Sequence, residues 1–213
     1  MTLVDTYKIY RSIQGTLHGR ILDSFASENY MMRCARLLGL VRKNTFVIHD
    51  QSEVDVLGNF ATYEYKKGGK TCVQKYYDTQ ECQNEVERVV LDAMVASYTS
   101  LFFILGKSTH RNSLLLRDIL TEREDIELID ISLSSSVVAQ ALLFTRIVPF
   151  DELNMSAGIN LPFHPSKRDY LLARHEKVRN RSGRQNRSMN RFIEFFKLHK
   201  AMGIETCYEN ILQ

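Results

Sequence analysis

At 213 residues, 44% hydrophobic and 25% charged, the chain has the make-up of a globular protein long enough to bury a real core, in one large domain or a domain with an appendage. No apolar run approaches the roughly 20 residues needed to cross a bilayer, the best being "SLFFILG" at 100–106. The net charge of +3 is unevenly spread: residues 166–200 hold 11 Lys and Arg against three acids, a local +8, while residues 1–165 hold 17 against 20.

In chain order, Tyr10, Ile13, Leu17, Ile21 and Phe25 recur at helical spacing, and a second helix is expected from Ser27 to Gly39, with Met31, Ala35 and Leu38 on one face and Gly39 as a left-handed cap. From 44 to 77 the Tyr-, Thr- and Val-rich runs around "KKGGK" predict a β-hairpin. Asp78 and Glu81 at capping-box spacing then open a helix to about residue 97, with Val86, Val89, Val90, Ala93 and Met94 along one face. Five short apolar runs between 99 and 160 predict a compact antiparallel set able to close into a small barrel, with "SLSSSVV" as a turn. Ser166 and Asp169 cap a helix through "DYLLARHEKV", and a last helix from Ser188 to Gly203 carries Phe192, Phe195, Phe196 and Met202 on one side. The expected class is therefore α+β: amino-terminal helices, a central antiparallel sheet or small barrel braced by the helix at 80–97, and a helical carboxyl-terminal extension. The division is 1–165 for the body and 166–213 for the basic extension.

Cys34, Cys72, Cys82 and Cys207 form no CxxC pair, which argues against a disulfide framework or a zinc knuckle and leaves no metal or cofactor expected. The early Asp5 and the lack of a long amino-terminal apolar stretch show no secretory signal, so a cytoplasmic location is expected, away from membranes.

Between the last two helices lies "KVRNRSGRQNRSMNR", residues 177–191, with six basic side chains, no acid and two apolar residues. Arg, Asn, Gln and Ser are the donors that reach phosphate oxygens, and some also read base edges. The leading expectation is a non-catalytic accessory or adaptor protein that binds DNA or RNA through Arg179, Arg181, Arg184, Arg187 and Arg191. Phe192, Phe195 and Phe196 would dock on the body, on a protein partner or on a second copy. In the competing bland reading the same stretch is an inert solvated linker of a protein–protein interaction module, because so few apolar groups cannot offset the entropy of ordering it.

Two catalytic readings stand beside it. Asp55 followed by Glu64-Tyr65-Lys66 resembles the signature of the restriction-endonuclease-like nucleases, in which two carboxylates hold a divalent metal and a lysine orients water. Arg168 with His175, Arg11 with His18 and Arg42 with His49 have the separation found in helical ribonucleases, a pattern that 17 arginines and six histidines also produce by chance. "KKGGKT" lacks the first glycine of a phosphate-binding loop, Glu64 standing in its place, and reads as a tight turn.

The runs "RCARLLGLVRKNTFVIHDQSEVDVLGNFATYEY", "LLLRDILTEREDIELIDISLSS" and "FTRIVPFDELNMSAGINLPF" look similar to a group of uncharacterised bacterial proteins, over residues 33–163. The resemblance implies an intracellular α+β domain and no particular activity.

Overall fold

The computed structural model of the chain describes residues 2–121, 123–137 and 140–204, apart from the side chain of Arg184. It opens with α1 (Leu3–Phe25), whose Thr2 and Asp5 form a reciprocal capping box, and α2 (Glu28–Leu38), which starts on Ser27 and stops on Gly39 at φ +79°. The strands β1 (Val41–Arg42) and β2 (Thr45–Phe46) make a minimal hairpin through Lys43 and Asn44, both at positive φ.

Here the structure departs from the expected β-hairpin at 44–77. Residues 51–63 and 72–79 are helical instead: α3 (Gln51–Tyr63), capped by Asp50, and α4 (Cys72–Thr79), capped by Thr71 and Gln74. Of the expected β region only Thr45–Phe46 is a strand, and the turn survives, a Lys67–Lys70 bridge with Gly68 and Gly69 at positive φ. The reason is burial. Every residue of α3 from Val56 to Tyr63 is buried, so this part of the helix has no solvent face and its sequence shows no 3.6-residue alternation. α5 (Glu85–Ala96) follows, with Asn84 as its cap rather than Asp78.

Five strands then close a barrel: β3 (Tyr98–Ser108), β4 (Ser113–Asp118), β5 (Ile126–Ile129), β6 (Leu142–Pro149) and β7 (Asn154–Phe163). Their order around the barrel is β3-β4-β5-β7-β6, and β6 returns to pair with β3. All pairs are antiparallel except β5 with β7, which corrects the wholly antiparallel expectation. The segment expected as a turn is a short helix, α6 (Ile131–Ser136), because Asp130 caps it by accepting from Leu133 N at 3.0 Å. First strand beside second and fourth, third parallel to fifth, and a helix between third and fourth is the connectivity of an OB-type Greek-key barrel.

Alternation along β3 divides its side chains between two cores. Phe102 and Ile104 point into the barrel, with Leu114, Leu116, Leu128 and Leu143, whereas Leu101 faces the helical layer with Leu142 and Phe144 of β6. A 3-10 turn at Pro165–Lys167, capped by His164 rather than by Ser166, leads into α7 (Arg168–Arg181), and a second at Arg184–Asn186 leads into α8 (Arg187–Met202). The phenylalanines of α8 belong to the larger core: Phe195 stacks on Phe144 at 4.5 Å and 3°, and Phe192 lies against Phe60 of α3 at 5.4 Å. The long helices pack on β6 and β7, the short α6 touches β4, and Leu115 of β4 is exposed to solvent.

Candidate nucleic-acid interface

The basic stretch is an elbow between two packed helices, and its arginines do not act alike. Arg181 and Arg187 are exposed and, with Lys177, form no ion pair among the described residues, although Arg187 Nε donates to Ser182 O at 3.4 Å. Arg179 is exposed but paired with Glu176 one turn earlier, and Arg174 is paired with Glu194 across the helices. The expected contact at Arg184 lies outside the described side chains.

Arg191 corrects the expectation for that position. It turns inward, donating through one terminal nitrogen to Thr99 O at 2.7 Å and Thr99 Oγ1 at 3.1 Å, while its buried Nε has no partner. Burial is the first cause that pulls its pKa below the ordinary arginine value, and the neighbouring Glu64 carboxylate opposes this. Arg191 therefore offers no outward contact: it lies four residues beyond Arg187 and faces β3.

Of the three docking places expected for Phe192, Phe195 and Phe196, burial selects the body over a protein partner or a second copy. They are 0%, 0% and 2% exposed, so they dock on the body and offer no surface to a partner. The exposed apolar side chains lie elsewhere, Phe46, Val47 and Ile48 after the β1–β2 hairpin among them.

The elbow meets a second basic segment that is remote in sequence. Lys66 Nζ donates to Gln185 O at 3.4 Å across 119 residues, which sets the Lys66–Lys70 turn beside the start of α8. Between them opens a cleft of about 180 Å³ whose lining includes Lys66, Gln74, Tyr98, Gln185 and Ser188. Arg123, from the loop between β4 and β5, lies over the Tyr98 ring at 3.7 Å and extends the cationic rim along the end of the barrel.

The floor of this cleft is a buried ion pair that sequence reading missed. Glu64 ends α3 and Arg146 comes from β6; the two are 2% and 3% exposed and bonded to each other. Arg146 also donates to Asn59 Oδ1 at 3.1 Å and Ser97 Oγ at 3.2 Å, and its guanidinium sits 4.6 Å from the centre of the Tyr63 ring. Each direction of the planar fork thus meets a partner, as a buried guanidinium requires, and the cation lies where the dipole of α3 is negative. No sequence signal could have paired residues 82 apart.

This geometry separates the residues of the metal-nuclease reading. Asp55 and Glu64 stand nine residues apart along α3, roughly 13 Å of helical rise, too far for one cation with ligands at about 2.0–2.6 Å. Asp55 instead accepts from Gln51 at 3.0 Å on the surface, Glu64 is held by Arg146, and Lys66 points to the elbow. Among the described residues no three His, Cys, Asp or Glu side chains gather as a metal site would need. Nor is any described helix long and apolar enough to cross a membrane.

The usual oligomer-binding face of such a barrel, on its second and third strands, is electrically paired here. Arg117 binds Asp125 through two bonds of 2.9 and 2.7 Å, Arg111 lies 3.9 Å from Glu127, and neither strand carries an aromatic residue.

The chain belongs to a protein family described as of unknown function, DUF7986, which matches residues 1–209. No curated protein and no solved structure matches it.

Proposed function

We propose that the chain is a non-catalytic nucleic-acid-binding accessory protein whose contact surface is the α7–α8 elbow together with the Lys66–Lys70 turn. The observation that carries this reading is the juxtaposition at Lys66 and Gln185, which joins two basic segments around one cleft at the end of an OB-type barrel. Lys66, Lys177, Arg181 and Arg187 supply charge that the fold does not neutralise, and Gln185, Asn186 and Ser188 supply neutral donors beside it. Such a surface binds phosphate first and sequence second, so affinity should be governed by counterion release. A location in the same compartment as nucleic acid follows from the reading and is part of the proposal.

The test is anisotropy titration of single- and double-stranded DNA and RNA across salt, with the native chain and an R181A/R187A/K66A variant. These side chains are exposed, so the variant keeps its fold. Each lost phosphate contact should make the log K against log salt slope shallower by about 0.7–0.9, or roughly 2–3 for the triple variant. Absence of binding at low salt, or an unchanged slope, overturns the proposal.

A further inference from the structure

Tyr63 also borders a second cavity, of about 260 Å³, between α1, α3 and β7. One stripe of α1 lines it: Arg11, Gln14, Gly15 and His18, at positions i, i+3, i+4 and i+7, a spacing that puts all four on one face. This stripe runs beside the apolar one formed by Tyr10, Ile13, Leu17 and Ile21, so a helix that packs into the body carries polar groups where it meets α3 and β7.

Two of these polar groups are left without partners. Tyr63 is only 8% exposed and its hydroxyl bonds to nothing in the protein, the Gln14 amide lying near it without hydrogen-bond geometry; the buried Nε2 of His18 is likewise unsatisfied, the Gly58 backbone lying near the ring without hydrogen-bond geometry. Orphaned buried donors are costly, and two around one cavity point to a group that binds there. Arg11 adds a cation. One of its terminal nitrogens is fixed by Ser156 O at 2.7 Å and Gln14 Oε1 at 3.3 Å, while the other faces Gly158.

Glycines keep the space open. Gly158 has φ +92°, and a Cβ there would come within 3.4 Å of the free Arg11 nitrogen; a Cβ on Gly58 would meet the His18 ring at 3.3 Å. Gly15 sits in the middle of α1, where glycine weakens a helix, yet a Cβ there would touch nothing. Asp55, whose one oxygen is taken by Gln51, supplies the only acid of the lining.

We infer that this cavity binds a small polyhydroxylated molecule bearing one oxyanion, a phosphate ester or a carboxylate. Arg11, His18 Nε2–H and the Tyr63 hydroxyl take the oxyanion, and Asp55 takes a hydroxyl. The site is separate from the elbow and does not depend on nucleic-acid binding.

Calorimetric titration of the full chain with ribose 5-phosphate, gluconate and ribose tests it, the first two distinguishing phosphate from carboxylate. One of the two anions should bind at least about tenfold tighter than ribose. Tyr63→Phe keeps the ring beneath Arg146 and removes only the orphan hydroxyl; it should weaken the anion by about tenfold or more while leaving the melting temperature level or higher, the signature of a binding rather than a structural hydroxyl. Gly15→Leu should fill the cavity and abolish binding without changing nucleic-acid affinity. The inference falls if neither anion binds, if ribose binds equally well, or if Tyr63→Phe leaves the anion affinity unchanged.

Discussion

Arg146 and Arg191 lie under the helical layer, whereas Arg187 and Arg181 stand in solvent four and ten residues before Arg191 along the same chain segment. The buried pair have carboxylate, amide and backbone acceptors built around them, and the fold depends on those contacts. The exposed pair have almost nothing, and the fold does not need them. Two arginines that look equivalent in a charge count thus differ in what their loss costs: interior arginines are set by desolvation and partners, exterior ones by counterions.

The contrast can be broken from the inside first. Glu64→Gln strips the buried guanidinium of Arg146 of its counter-charge and should cost about 3–5 kcal/mol, read by urea unfolding. A loss under about 1 kcal/mol would mean that Arg146 is not held as described. Arg191→Ala should cost less, about 1.5–3 kcal/mol for its hydrogen bonds to Thr99, with nucleic-acid binding altered no more than the folded fraction dictates.

Titration sharpens the same comparison. Burial is the first cause lowering the pKa of His18, His175 and His199 below the ordinary 6.5. Each is therefore neutral when folded, and unfolding takes up protons below that pH. Stability should be full above pH 7 and fall as pH drops from about 6.5 toward the folded values, with a slope of up to about 1.4 kcal/mol per pH unit for each histidine. Asp50, lowered first by its bond from Ser52, and Glu53, lowered by Lys200 and His49 against its own burial, add their losses only at more acid pH. A melting temperature that held constant from pH 7 to 5 would contradict the burial of these rings. Smallest of all, Arg181→Ala and Arg187→Ala should each change stability by less than about 0.5 kcal/mol, leaving their effect visible only in the salt dependence of binding.

Much of this was legible in the residues and some was not, for physical reasons. Local chemistry was plain: Ser27 and Gly39 bound α2, the five apolar runs became the five barrel strands, and Phe192, Phe195 and Phe196 marked the buried side of α8. α3 was illegible because its second half, Val56 to Tyr63, is enclosed on all sides, and its Tyr- and Thr-bearing end mimics a strand. At the elbow, Arg181 and Arg187 stand out in the sequence by charge and are exposed in the fold, but no one-dimensional pattern tells that Arg191 turns inward. The Lys66–Gln185 and Glu64–Arg146 contacts, 119 and 82 residues long, exist only once the barrel has closed.

The place of α8 in the core has a consequence for how the protein is made. Phe60 and Phe144 emerge from the ribosome well before the phenylalanines that cover them, and at about 5–20 residues per second the delay between Phe60 and Phe192 lasts several seconds or more. During that interval the helical layer carries a bare aromatic face. Nascent chains stalled short of Phe192 should be protease-sensitive and should recruit chaperones, and the sensitivity should drop once Phe195 and Phe196 clear the exit tunnel, so that synthesis, not collapse, times the last step of folding.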